Sequence, residues 1–152
     1  MDDSRGEPTG RDVKVAGKWD AYLGIPPPEK DHKDTAILFI PDVIGIWQNS
    51  KLLADQFAAN GYHTLLVDVF NGDAIPLNRP GDFDFQKWHS EGSTGDNPHT
   101  PEAVDPIILA SIKQMKEDHG VKKVGAVGYC FGAKVRHTPG ILGHVFPSCL
   151  IA

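Results

Sequence analysis

The sequence predicts an α/β fold, a mostly parallel sheet of about five strands with flanking helices. Three observations predict it. Thr35–Ile40 is a continuous apolar run rather than an alternating one, as strands covered on both faces are, and Tyr62–Phe70 and Val121–Val127 read as two further buried strands. Helical patterns separate them, so strand and helix alternate as they do in βαβ units. The third run ends in Gly128-Tyr129-Cys130-Phe131-Gly132, and the residues after it can open a helix.

Taken in order, the chain begins with a polar lead-in, residues 1–11, expected to be frayed. Val13 to Leu23 carries Val13, Val15, Trp19, Tyr22 and Leu23 around Gly17, which suits one or two short strands at a sheet edge. Ile25-Pro26-Pro27-Pro28 stops them, because proline cannot donate to a ladder. The strand Thr35–Ile40 is followed by the loop Pro41 to Trp47. A helix is expected from about Asn49 to Asn60, with Leu52, Leu53 and Phe57 on one side and Gly61 as its stop. Residues 71–100 are rich in Gly, Pro, Asp and Asn, and connections of that length are often functional. A short helix within them, Asp84 to His89, would carry Phe85 and Trp88. Thr100-Pro101-Glu102 starts the next helix: a capping threonine, proline at the first position and an acid in the first turn. Val104, Ile107, Ile108, Ile112 and Met115 then recur at spacings of three and four, and Gly120 ends the helix.

Composition narrows the function. The net charge is −5 with no basic block, so neither nucleic acid nor an anionic membrane is an expected partner. No apolar run approaches the roughly 20 residues of a membrane span. The first residues are acidic and show no apolar stretch of the kind a secretion signal has, so the expected location is the cytoplasm. Cys130 and Cys149 make no disulfide framework. Neither a phosphate loop nor a metal-spaced cluster occurs, so no cofactor and no metal are expected.

The glycine-flanked Cys130 has the layout of a nucleophile elbow, G-x-S-x-G, with cysteine in place of serine. A strand that reverses sharply into a helix leaves no room for a Cβ on either side of the apex, hence Gly128 and Gly132. Cys130 would lie at a helix N-terminus, which favours thiolate. The Phe131 N–H would point at a developing oxyanion. That combination suits acyl transfer. Asp42 and Asp68 both end strands, at the edge where such sheets bind ligands. Asp42 is open to two roles, a partner of the thiol or a cap of its own loop, and Asp68 suits a turn. His63 begins a strand, at the opposite edge. His137 falls about 10 Å along a helix from Cys130, beyond hydrogen-bond reach, and His144 lies past the Pro139-Gly140 break.

At these residues the chain resembles the dienelactone hydrolase family, a cysteine-using branch of the α/β-hydrolases, and its fungal members in particular. Gly128 to Lys134 matches the family elbow. Ile40-Pro41-Asp42-Val43-Ile44-Gly45-Ile46-Trp47 resembles the segment that forms the other side of the oxyanion hole. Phe83 to Trp88 and Asn97 to Glu102 are similar to the fungal branch, and the resemblance covers about residues 6–134. It implies a hydrolase of small-molecule esters or lactones with a Cys-His-Asp triad, in fungi often an accessory enzyme of secondary metabolism. Cys130 matches the nucleophile. Asp42 stands where bacterial relatives carry a Glu near the resting thiol. The N–H groups of Val43 and Phe131 match the oxyanion donors, and Trp47 is placed to line the pocket.

The family's triad Asp and His lie well downstream of the elbow, whereas this sequence ends at Ala152. After Lys134 the residues depart from the family pattern. The expectation is therefore an incomplete α/β-hydrolase fold: residues 1–134 form its N-terminal part, and residues 135–152 a divergent tail arising from a frameshift or altered splicing. An inactive truncated remnant or interaction fragment is the alternative. The elbow strand would then lie at or near a sheet edge, inviting self-association. A flavodoxin-like binding module also alternates strand and helix, but it gives the elbow no role.

Overall fold

In the computed structural model, residues 6–135 are described. Five strands form one mixed sheet in the order β1-β2-β4-β3-β5. β1 (Arg11–Val15) and β2 (Trp19–Gly24) are an antiparallel hairpin at one edge, turned by Ala16 and Gly17, both at positive φ. β3 (Thr35–Ile40), β4 (His63–Val67) and β5 (Lys123–Gly128) run parallel, with β3 between the other two. β2 joins this group antiparallel to β4. The parallel character is thus concentrated in the three apolar runs, whose C-terminal ends share one edge. β5 is the outer strand on that side among the described residues.

Thr9 and Gly10, in the described part of the lead-in, are held rather than frayed. The Thr9 N–H donates to the Asp55 carboxylate at 2.8 Å and the Gly10 N–H to the Tyr22 hydroxyl at 2.6 Å. A Cβ on Gly10 would lie 2.3 Å from the Leu23 carbonyl oxygen, so only glycine passes so close to β2.

Strand side chains alternate between two apolar clusters, one on each face of the sheet. Leu38, Ile40, Leu65, Val67, Val124 and Ala126 join one cluster; Phe39, Leu66 and Val127 join the other. α3 (Pro101–His119) covers the first. It buries Val104, Ile107, Ile108, Ile112 and Met115, the stripe expected from their spacing. Burial of those five side chains contributes on the order of 10 kcal/mol before chain entropy is subtracted. Gly120 ends α3 in the left-handed region at φ 63. At the other end Thr100 makes no side-chain cap. The Glu102 carboxyl is held below its usual range by its own backbone N–H and by the Thr100 hydroxyl.

α1 (Gln48–Ala59) covers the second face, and here the structure differs from the expected stripe. The residues it buries are Ser50, Ala54 and Ala58, at spacings of four. Leu53 and Phe57 are only partly buried and pack beside the cluster. The reason is close approach: a Cβ on Gly24 of β2 would lie 2.9 Å from the Ala54 carbonyl oxygen. Large side chains on that face would push the helix off the sheet. α2 (Phe85–Glu91) is capped by Asp84, whose carboxylate accepts from the Lys87 N–H at 2.9 Å. It buries Trp88 in the core and leaves Phe85 exposed. The last element among the described residues is α4 (Phe131–Val135).

Candidate active site

The turn between β5 and α4 is built as the residue types demand. Cys130 sits at φ 53, where a side chain is disfavoured by about 1–3 kcal/mol. The flanking glycines avoid different collisions. A Cβ on Gly128 would lie 2.3 Å from the Gly132 carbonyl oxygen, because the turn closes on itself. A Cβ on Gly132 would lie 2.1 Å from the Ile40 carbonyl oxygen and 2.9 Å from that of Pro41, because α4 presses on the end of β3. The Gly132 N–H donates to the Tyr129 carbonyl at 2.9 Å and the Lys134 N–H to the Cys130 carbonyl at 3.4 Å. The Cys130 thiol is free and exposed.

The register of the parallel pair brings the second segment alongside. Ile40 is opposite Gly128, so Pro41, Asp42 and Val43 leave the sheet beside Tyr129, Cys130 and Phe131. That loop is held at several points. The Asp42 carboxylate accepts from the Ile44 N–H at 2.9 Å, and the Asp42 carbonyl from the Gly45 N–H at 3.0 Å. The Val43 carbonyl accepts from the Ile75 N–H at 2.8 Å, and the Ser50 hydroxyl donates to the Gly45 carbonyl at 3.1 Å. The geometry therefore shows Asp42 closing its own loop. Neither the Val43 nor the Phe131 N–H donates to another loop or element among the described residues. Phe131 is the first residue of α4, where N–H groups have no intrahelical acceptor.

Beside this edge lies a cavity of about 200 Å³ lined by Phe39, Asp42, Trp47, Leu53 and Tyr129, among others. Trp47 thus meets Asp42 and the residue preceding Cys130 around one space. A groove of about 540 Å³ between α2 and α4 is lined by Phe85, His89 and Lys134. Burial, and then the charge of Lys134, holds the His89 imidazole below its usual value. A larger groove, about 730 Å³, runs past Asp12, Lys14, Asp20 and Asp68 and does not include the elbow in its walls. Its lysine and two of its acids are already paired, Lys14 with Asp20 and Asp12 with Lys51.

Other residues singled out by the sequence fall away from the elbow. Asp68 holds a turn: its two carboxylate oxygens accept from the Phe70 N–H at 2.9 Å and the Gly72 N–H at 2.7 Å. His63 lies at the N-terminal end of β4, 3.5 Å from Asp31 and stacked on His119, at the edge opposite Cys130. Burial lowers its pKa. His137, His144 and Cys149 lie outside the described residues. Among the described residues no group of three His, Cys, Asp or Glu side chains is placed to hold a metal, and no helix is long and apolar enough to cross a membrane.

One cluster near the elbow was not foreseen. His99 is buried, and its Nε2 lies 2.9 Å from the Asp73 carboxylate. That carboxylate also accepts from the Ser93 N–H at 2.8 Å, while the Asp73 carbonyl accepts from the Trp88 indole N–H at 2.9 Å. Burial raises the Asp73 carboxyl, but the Ser93 bonds and His99 outweigh it and leave its pKa lowered. The sequence signal was slight, an Asp and a His in one long polar segment.

A parallel strand running into a glycine-flanked turn at positive φ and then a helix, beside the end of a second parallel strand, is the architecture of an α/β-hydrolase. Solved structures of that fold match. A Klebsiella pneumoniae protein described as a dienelactone hydrolase aligns with a TM-score of 0.65 at 13% identity, over 87% of this chain and 56% of its own. Est1E from Butyrivibrio proteoclasticus aligns with a TM-score of 0.52 at 16% identity, over 84% of this chain and 43% of its own. The family model of the dienelactone hydrolases matches residues 19–138, and the chain belongs to that family. Hydrolase tropI of Talaromyces stipitatus is 47% identical over 123 residues, 78% of this chain and 47% of its own length. Hydrolase pyvD of Aspergillus violaceofuscus is 39% identical, over 85% and 49%. The chain spans about half the length of the curated relatives it matches.

Proposed function

We propose that this chain carries the nucleophile region of a cysteine-dependent hydrolase of small-molecule esters or lactones. The observation that carries the proposal is the exposed Cys130 held at φ 53 between two glycines that no other residue can replace without backbone collision. The sulfur attacks the acyl carbon, and the carbonyl electrons move onto oxygen, where the N–H groups of Val43 and Phe131 hold them. Collapse breaks the bond to the leaving alkoxide, which takes up a proton, and leaves an acyl group on Cys130. Water then cleaves that thioester, returning the thiol and releasing the acid. The family's triad Asp and His would manage these protons from downstream of the elbow. Asp42 contributes negative charge beside the thiol while it closes its loop, and Trp47 walls the acyl or leaving-group space. Fungal relatives with hydrolase names support the hydrolase reading; the role proposed with it is that of an accessory enzyme of secondary metabolism, acting in the cytoplasm where the thiol stays reduced.

The test is turnover of an activated ester, p-nitrophenyl acetate, before and after alkylation with iodoacetamide. Expected is turnover that stops as Cys130 is labelled and that is absent from Cys130→Ala. Turnover that survives labelling would overturn the cysteine mechanism.

A second reading is favoured by the position of β5, the outer strand among the described residues. An open strand edge there would pair with a second copy of the chain or another polypeptide, and the chain would then serve as an interaction fragment. Sedimentation at increasing concentration distinguishes the two: a thiol-labelled, catalytically silent oligomer supports the second, and a monomer with turnover excludes it.

A further inference from the structure

The direction of α4 as it leaves the elbow depends on what grips its first residue, Phe131. The grip is on the Phe131 ring. Phe70 lies 4.9 Å from it, and Trp88 and His89 each lie 6.4 Å from it. Those aromatic groups are themselves fixed by the long 71–100 segment. Trp88 packs on the His99 ring at 4.4 Å, and Phe70 meets that ring edge-on at 5.4 Å. The Trp88 indole is bonded to the Asp73 carbonyl, the His99 N–H to the His89 carbonyl at 2.8 Å, and the Asn97 side chain to the Phe70 carbonyl at 3.2 Å. Asp73 bonded to His99 joins the two ends of the segment around these rings. His99 Nδ1 is buried with no partner among the described residues, so the bond to Asp73 is the ring's one polar anchor beside its packing on Trp88 and Phe70. A hydrogen bond to a carboxylate is about twice as strong as one between neutral groups, so it selects one orientation of the packed ring.

We propose that the Asp73–His99 pair is a positioning element for the elbow. It clamps the 71–100 segment on the Phe131 ring and thereby sets the direction of the Phe131 N–H. The catalytic consequence rests on the reading of that N–H as an oxyanion donor; the mechanical part does not. Neither residue touches the reacting atoms. Each acts through Trp88, Phe70 and Phe131.

Two readouts separate the parts. His99→Phe keeps an aromatic ring and loses the bond, Asp73→Asn weakens it, and His99→Gln keeps a donor for Asp73. Amide hydrogen exchange is followed at Gly132 and Lys134, whose N–H groups are bonded inside the turn, and at the β3 and β4 amides as reference. In His99→Phe and Asp73→Asn the turn amides are expected to exchange about tenfold faster while the strand amides keep their rates, with partial recovery in His99→Gln. With p-nitrophenyl acetate, kcat is expected to fall about ten- to a hundredfold with little change in KM, as for a misdirected transition-state donor. Unchanged exchange at Gly132 and Lys134 overturns the proposal, as does an equal rise throughout the sheet, which would mark an ordinary core contact. Should the unaltered protein show no turnover, the hydrolase reading fails while exchange still decides the clamp. Should His99→Phe fail to fold, Asp73→Asn and His99→Gln carry the same comparison.

Discussion

Gly132→Ala puts the elbow geometry to the test in one methyl group. The added Cβ would meet the Ile40 carbonyl oxygen at 2.1 Å, where ordinary contact begins at 3.4 Å, and the Pro41 oxygen at 2.9 Å. Both neighbours are backbone. Ile40 is also locked in register with Gly128 on β5, so it cannot retreat without opening the β3–β5 pair. Insertion against fixed backbone costs about 3 kcal/mol. For a domain of this size that corresponds to a fall of about 10 °C in unfolding midpoint. Thermal unfolding by circular dichroism reads it, with Gly81→Ala as the control. A Cβ added at Gly81 would have nothing within 4 Å, and alanine there is expected to leave the midpoint unchanged or raise it by about a degree. A Gly132→Ala midpoint as high as that of the control would refute the close approach of α4 to the end of β3.

Three further outcomes follow from the structure. Asp68→Ala strands the Phe70 and Gly72 N–H groups and is expected to cost about 2 kcal/mol, read by denaturant unfolding; Asp68→Asn should cost less. The Tyr22 hydroxyl is pushed up to about 12 by burial and by its bond to Asp55. Its contribution to stability is full below the unfolded value of about 10 and lost as pH rises through the folded value. Tyr22→Phe should therefore flatten the alkaline fall in unfolding midpoint; an unaltered slope would count against the burial of that hydroxyl. Asp73 has a lowered pKa, so its contribution is present above the unfolded value of about 3.9 and disappears as pH falls through the lower folded value. Asp73→Asn should reduce the loss of stability between neutral and acid pH, measured as unfolding midpoints across that range.

Much of the site was legible because its residue types are forced locally. Gly128 and Gly132 follow from the lack of room around a strand-to-helix reversal, and the structure shows both collisions. The three buried strands, the α3 stripe and its Gly120 stop are also local, since period and cap sit in the sequence itself. What depends on approach between distant segments was less visible. α1 presents Ser50, Ala54 and Ala58 to the sheet because Gly24 lets the backbones come close, and no window of the α1 sequence contains that information. Composition suggested a frayed lead-in, yet Tyr22 and Asp55 hold Thr9 and Gly10. Asp42 offered two roles by sequence, thiol partner and loop cap, and its bond to the Ile44 N–H shows the second. His99 looked like one more loop histidine; its burial is created by Trp88, Phe70 and Asp73, which reach it across the 71–100 segment.

The central claim is that Cys130 takes up an acyl group. Intact-protein and peptide mass spectrometry after brief reaction with p-nitrophenyl acetate tests it most directly. The expected result is a single acetyl group on the peptide carrying Cys130, formed with a matching burst of p-nitrophenolate and absent from Cys130→Ala. Acetylation confined to lysines, with the same release of p-nitrophenolate from Cys130→Ala, would contradict it.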